Sequence, residues 1–388
     1  MGNENIDRSS LLSCSQAYSR LHTSKCNIKT TLAFPSIARG AIADTIQRWN
    51  AFLLRVMENS QHSITHRSYA ILGTGAIGGF YGGRLQKAGF DVHFLLNSDY
   101  SHVKEHGLAI ESVDGDFTLE NVNAYNNVQE MPPCDVVVVA LKTTQNYLLP
   151  QLLPPLLKEN SIVVLLQNGL GAEEDVGKFI KNLPIIGGLC FVCSNKIKPG
   201  HIRHLDYGVV TFAEYSENGK PAGITENIRL IAGDFEKTEI PIILNEDLIL
   251  TRWKKLVWNV PYNGLSVVLD AQTNELMANE YTRRLAEELM REVVAGAAAC
   301  DRIIPEVVIE KMLDNTDKME PYLTSMKLDY DRRNALEIEA IFGNPLRTAQ
   351  SGGVNLPRMS MLYQQLKFLD ARNRVLLGNR EQGTGNRE

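Results

Sequence analysis

The sequence lacks the features of a secreted, membrane-spanning or polyanion-binding chain. Its six cysteines, at 14, 26, 134, 190, 193 and 300, are too few and too scattered to staple 388 residues. A disulfide framework is excluded and a reducing compartment fits. The longest apolar runs, such as Val136–Leu141 and Ile162–Leu166, fall far short of the roughly 20 residues that cross a bilayer. There is no long run of Lys or Arg, and the net charge of −5 gives no bulk attraction to a polyanion. Neither nucleic acid nor membrane is an expected partner. Met1-Gly2 is followed at position 6 by Ile6, not the Ser or Thr that myristoylation prefers.

What is present is globular: 44% hydrophobic and 22% charged residues, over more length than one core uses, so two domains are expected. No internal repeat is found. Residues 1–66 are rich in Ser, Thr and Asn, carry more basic than acidic residues and lack the alternation that follows. They are expected to be a poorly ordered extension. An organelle transit peptide, a local helix around Ile42–Val56 and a misassigned start codon all remain open; without targeting the location is cytoplasmic.

From Tyr69 the pattern is α/β. An apolar strand reaches Leu72, a glycine turn follows, a helix covers about Ile77–Ala88, and a second strand runs over Val92–Leu96. Asp135–Leu141 is continuously apolar, as suits a parallel strand buried on both faces. Strands Ile162–Leu166, Ile185–Leu189 and Val209–Glu214, a helix near Thr225–Phe235 and a strand Ile240–Leu244 complete this part. Beyond Glu246 apolar residues recur at helical spacing from Leu250 to about Ala371. The expected fold is therefore a Rossmann-type dinucleotide-binding domain over 67–245 and an all-α domain over 246–374, with a polar tail over 375–388.

Gly73-Thr74-Gly75-Ala76-Ile77-Gly78 lies between that first strand and helix, the context in which G-x-G-x-x-G binds a dinucleotide. Gly73 permits the tight turn, Gly75 lets backbone approach a pyrophosphate, and Gly78 brings helix against strand. The place at the end of the second strand where an NAD site carries Asp or Glu is Asn97. The missing acid favours NADP(H). No Arg stands there to hold a 2′-phosphate, so Ser98, His102 and Lys104 are candidate donors; Asp99 keeps NAD(H) as the lesser alternative.

Lys255, Asn259 and Asn263 are spaced i, i+4, i+8, one stripe rising about 12 Å along a helix otherwise carrying Leu256, Val257, Val260 and Leu265. Such a stripe meets water, a ligand or a buried partner. Lys254 lies about 100° away around the helix. Cys190-x-x-Cys193 with His201 and His204 could be a zinc set, but its pairs are closer than in a usual finger and fall on a strand and turn of a fold that needs no metal. No metal is expected.

Several further motifs stand in order: Leu141-Lys142-Thr143-Thr144-Gln145, Gln167-Asn168-Gly169-Leu170-Gly171, Trp253-Lys254-Lys255-Leu256 with Asn259 and Asn263, and Ser325-Met326 before Glu337-Ile338. Together, from about Tyr69 to Ala371, they resemble ketopantoate reductase (2-dehydropantoate 2-reductase). The resemblance implies a helical domain like the C-terminal domain of 6-phosphogluconate dehydrogenase. It also implies NADPH-dependent reduction of 2-dehydropantoate to pantoate in pantothenate synthesis. By that resemblance Lys142, Asn168 and the backbone near Cys193 contact the cofactor, and Lys255 is the proton donor. Asn259, Asn263 and Ser325 then contact substrate, while Glu337 is a catalytic residue that positions the lysine and contacts bound ligand.

Structural alternatives stand beside these roles. Asn168 could be the left-handed residue of an Asn-Gly turn, and Asn334-Ala335-Leu336-Glu337 also reads as a capping box. On one straight helix Ser325 and Glu337 would be about 18 Å apart. The Asp331–Asn334 stretch must therefore break the helix, or the two residues serve opposite ends of the site. A reductase of another branched 2-oxo acid and a non-catalytic NADP(H)-binding protein remain as alternatives, and a homodimer is left open. Because every fold signal starts at Tyr69, deleting residues 1–60 is expected to leave kcat/KM within a few-fold. Complete loss of soluble, active protein would contradict this.

Overall fold

The computed structural model describes the backbone of residues 67–383 and the side chains as far as Arg374. The expectations for the extension lie outside the described residues.

The chain opens with β1 (Ser68–Leu72), α1 (Ala76–Lys87), β2 (Asp91–Leu95), α2 (Tyr100–His106), β3 (Leu108–Ser112), β4 (Phe117–Leu119), β5 (Asn123–Tyr125) and β6 (Cys134–Val139). It continues through α3 (Leu149–Leu152), β7 (Leu157–Leu165), α4 (Ala172–Gly177), β8 (Ile185–Lys198), β9 (His201–Glu214), α5 (Glu226–Glu236) and β10 (Ile242–Leu244). These strands form one sheet in the order β4-β3-β9-β8-β7-β6-β1-β2-β5, with β10 beside β9. The run from β5 to β8 is parallel, and β8 and β9 form a long antiparallel hairpin. The sheet is thus mixed.

Side-chain alternation explains why the inner stretches of the central strands are apolar. Val136 and Val138 of β6 join Tyr69 and Ile71 in one core, whereas Val137 and Val139 join Ala70 and Leu72 in another. Each strand feeds a core on both faces, so no position is left for a polar residue. Chain order reverses between β1 and β6: β2 lies on one side of this pair and β7 on the other. A doubly wound sheet opens its ligand crevice at the carboxyl ends of such a pair. The glycine turn and Leu141-Lys142 are there.

Strands end at Leu244, and Asp247 caps the next helix by accepting a hydrogen bond from the Leu250 amide at 2.9 Å. The helices are α6 (Leu248–Val268), α7 (Thr273–Ala278), α8 (Glu280–Ala298), α9 (Val307–Lys318), α10 (Ser325–Asp331), α11 (Asn344–Ser351) and α12 (Pro357–Gly383). They surround a core of their own built on Trp253, Leu256, Val260, Leu289 and Phe342. The last helix runs to Gly383, past residue 375 where a polar tail was expected. Backbone propensity there outlasts the apolar stripe.

α6 is fastened to the sheet near its N-terminus. Arg252, 2% exposed, donates to the main-chain oxygens of Gln167 and Leu165 just beyond and within β7, and pairs with the buried Glu173 carboxylate of α4. Removing one member of a buried pair strands the other charge, whereas replacing both is far milder. Arg252→Met should therefore cost about 3 to 5 kcal/mol in denaturant unfolding, and Arg252→Met with Glu173→Leu should recover most of it. Equal destabilisation by the single and double variants would contradict this reading.

Candidate active site

At the carboxyl ends of β1 and β6 each glycine of the turn has its own steric reason. Gly73 takes φ +95°, and a Cβ there would lie 2.8 Å from the Leu141 amide nitrogen. A Cβ on Gly78 would lie 2.1 Å from the Gly73 carbonyl oxygen. A Cβ on Gly75 would meet nothing within 4 Å. The first and third glycines answer to the protein's own packing; the second faces open space. It is also the N-cap of α1, with no side chain bonded to the free amides. This is the cradle an anionic pyrophosphate requires, and the residues fit a nicotinamide dinucleotide.

The cradle opens into a cavity of about 350 Å³ walled by both domains. From the sheet come Gly73, Gly75, Ala76, Ile77, Lys142, Asn168 and Cys193; from the helices come Lys255, Asn259 and Ser325. Thr74, Gly78, Asn97, Asn263 and Glu337 are outside the lining. Thr74 Oγ1 donates to the Leu95 carbonyl at 3.0 Å, tying the turn to the end of β2. Asn263 accepts from the Met326 amide at 3.4 Å, fixing the start of α10 and so the neighbouring Ser325.

Lys255 donates to the Cys190 carbonyl oxygen of β8 at 2.8 Å. Desolvation by burial lowers its pKa to about 8, with Arg252 pushing the same way and Cys190 and Glu337 opposing. Lys254 does not line the cavity. One turn on, Asn259 is 6% exposed and its Nδ2 has no partner. A buried donor of this kind on a cavity wall calls for a ligand oxygen.

Glu337 accepts hydrogen bonds from the Thr143 amide and hydroxyl, both at 2.9 Å, and lies 3.5 Å from the Lys142 ammonium. It makes no reciprocal bond to its own helix start, so the capping-box alternative gives way to a contact between domains. Lys142 also donates to Asp329 of α10 at 2.7 Å. Burial works against the Lys142 ammonium, but Glu337 and Asp329 outweigh it and raise its pKa. α10 ends at Asp331, and Arg333 takes φ +60°, so the helix does break between Ser325 and Glu337. The left-handed residue of the Asn-Gly pair is Gly169 at φ +90°, not Asn168. A Cβ on Gly169 would lie 2.4 Å from the Ala340 oxygen, so the helical domain itself demands the glycine.

Asp99 does not face the ribose site as a free acid. It is 5% exposed and accepts from Lys196 at 2.9 and 3.0 Å, from the Gly200 amide at 3.1 Å and from Ser98 at 3.0 Å. Burial would raise its pKa, yet the bonds from Lys196, Gly200 and Ser98 prevail and hold it low. Cys190, Cys193, His201 and His204 do not gather: His204 bonds Ser112 at 2.9 Å, and His201 faces Glu111 at 3.4 Å. Among the described residues no three His, Cys, Asp or Glu side chains are placed to hold a metal. Lys196, Asp329 and Arg332 line the cavity and were not singled out from sequence. Lys196 and Asp329 have partners far along the chain, in Asp99 and Lys142, and no local motif marks any of the three.

Comparison with known proteins agrees with this architecture. The family described as "Ketopantoate reductase PanE/ApbA" matches residues 69–217, and "Ketopantoate reductase PanE/ApbA C terminal" matches 247–370. The chain belongs to the ketopantoate reductase family. A 2-dehydropantoate 2-reductase of Nostoc sp. is 62% identical over 312 residues, covering 80% of this chain and 98% of that one. The crystal structure of 2-dehydropantoate 2-reductase from Geobacter metallireducens superposes with TM-score 0.74 at 38% identity, covering 77% and 99% of the two chains. D-mandelate dehydrogenase in ternary complex with NADH and anilino(oxo)acetate shares the fold, with TM-score 0.72 at 21% identity over 79% and 99%. Among the described residues no helix is long and apolar enough to cross a membrane.

Proposed function

We propose that this chain reduces 2-dehydropantoate to pantoate with NADPH, a step of pantothenate synthesis. The observation that carries the reading is the shared cavity: one wall is a glycine cradle with an open position, the other a lysine, an unpartnered asparagine donor and a serine. The substrate is that named for the Nostoc and Geobacter relatives. NADPH is favoured because the end of β2 offers no free carboxylate: Asn97 is uncharged, and the oxygens of Asp99 are taken by Lys196, Ser98 and Gly200. The cofactor, when bound, supplies the hydride.

The protein must supply the proton and hold the oxo acid. Lys255, with its pKa drawn down to about 8, is an ammonium at neutral pH that gives up a proton readily, the property wanted of a general acid working near its own pKa. Its charge also stabilises the oxygen as negative charge grows there. Asn259 offers its free Nδ2 to a substrate oxygen, and Ser325 offers a hydroxyl from the opposite helix. Glu337 holds Lys142 and the Thr143 amide in place, and its charge raises the proton affinity of Lys255.

Crossing NADPH and NADH with 2-dehydropantoate and two other branched 2-oxo acids in steady-state assays tests the reading. The highest kcat/KM should fall to NADPH with 2-dehydropantoate; a faster rate on another acid would reassign the substrate. Lys255→Ala should lower kcat by 10²-fold or more with the NADPH Kd nearly unchanged, whereas Lys254→Ala should be nearly silent. Because the acid form is required, kcat/KM for reduction should hold below pH 8 and fall as pH rises through about 8, with the reverse reaction showing the opposite trend. Equal, mild effects of the two alanine variants would return Lys255 to an ordinary helix face.

A further inference from the structure

We propose that Lys196 recognises the 2′-phosphate of NADPH and that Asp99 holds it in place for that task. The assignment rests on the cofactor reading above and names a residue that the sequence around β2 does not contain. In a dinucleotide-binding unit the adenosine ribose lies at the end of the second strand, where an acid bonds the ribose hydroxyls or a nearby cation takes the phosphate. Here the positions after β2 are Leu96, Asn97, Ser98 and Asp99, and none is a cation. Lys104 folds back on Tyr100, donating to its hydroxyl at 2.8 Å with the ammonium 5.1 Å from the ring centre. His102 packs against His106, ring centres 4.8 Å apart.

The cation arrives instead from β8. Ser194 and Lys196 are two residues apart on that strand and therefore share a face. Ser194 Oγ lies 3.4 Å from the Ala76 carbonyl oxygen at the start of α1, and Lys196 Nζ lies 2.9 and 3.0 Å from the two Asp99 oxygens. One face of one strand thus runs from the pyrophosphate cradle to the end of β2. Both residues line the same cavity as Gly73 and Gly75.

The chemistry of the pair suits the task. Asp99 is 5% exposed and points inward, so it anchors the ammonium without presenting a bare carboxylate to an incoming phosphate. Lys196 keeps 34% of its side chain exposed, and an ammonium has three donors, of which the two bonds to Asp99 leave one free. A lysine serving only to pin the hairpin turn would have no need to open onto the cavity.

The test is equilibrium binding by titration calorimetry on the full chain, with NADPH, NADH, adenosine 2′,5′-bisphosphate and adenosine 5′-monophosphate. For Lys196→Gln the expected result is NADPH and the bisphosphate weakened roughly tenfold or more. NADH and the monophosphate should be unchanged, which also shows that the variant is folded. Lys196→Arg should keep the preference, and added salt should erode the wild-type preference but not that of Lys196→Gln. Equal weakening of NADPH and NADH in Lys196→Gln, or a preference that survives it, would overturn the assignment alone. Wild-type protein that binds NADH as tightly as NADPH would overturn the cofactor reading itself, and the assignment with it.

Discussion

The buried pairing of Arg252 with Glu173 and the chain just after β7 is the constraint on which the site depends. Arg252 is three residues before Lys255 on α6, so whatever fixes the guanidinium also fixes the position of the ammonium one turn further on. The partners of Arg252 belong to the parallel sheet, and Lys255 reaches the Cys190 carbonyl on the neighbouring strand. α6 is thereby registered against two adjacent strands. The same guanidinium also tunes the site: after desolvation and the Cys190 interaction, its charge is a further influence on the Lys255 proton affinity, acting to lower it. One contact thus fixes the position of Lys255 and adds to the effect of burial on its acidity.

A second layer of polar contacts closes the cleft from the opposite side. Lys142 leaves the sheet beside the glycine turn and meets Asp329 and Glu337, both from the helical domain. One ammonium is shared by two carboxylates, the nearer being Asp329 at 2.7 Å and the farther Glu337 at 3.5 Å. Thr143 supplies the balance by donating its amide and hydroxyl to Glu337. This distribution satisfies the buried Glu337 carboxylate without a hydrogen bond from Lys255. Lys255 is thereby left on the cavity wall with, among the described residues, only the Cys190 carbonyl as its hydrogen-bond partner.

Much of this was legible from residue order alone, because the features that were read are local. The glycine turn declares itself within six residues, the β1 and β6 strands through unbroken apolar runs, and the Lys255-Asn259-Asn263 stripe through helical spacing. The strands β3, β4 and β5 went unread because they are short and partly exposed, and their apolar content is too thin to stand out. The β8–β9 hairpin was read only in part: a strand at Cys190–Cys193 and the turn before His201 were seen, but not the full 14-residue length of each arm, whose outer residues are partly exposed. At the site, what escaped was decided by partners remote in sequence: Lys196 finds Asp99 across 97 positions and Lys142 finds Asp329 across 187. Glu337 shows the limit most plainly. Its sequence neighbourhood permits a helix cap, and only the arrival of Thr143 from the other domain decides against it.

Asn259 shows how the site balances stability against selectivity. A buried amide donor without a partner costs about 1 to 3 kcal/mol in the unliganded protein, and Asn259 carries that cost among the apolar side chains of α6. Asn263, one turn on, accepts from the Met326 amide through its Oδ1, and its own amide nitrogen is not left stranded in the same way. The two asparagines of the stripe therefore differ: one holds α10 where Ser325 can face the cavity, the other leaves its donor unpaired at the cavity wall. A substrate bearing an oxygen at that point recovers the desolvation already incurred, while an analogue lacking it leaves the donor stranded. Sites that hold an unpaired polar group in readiness discriminate against such analogues more strongly than an apolar pocket does. On the proposed function, the unpartnered Asn259 donor would favour a hydroxylated acid over a plain hydrocarbon one of the same size.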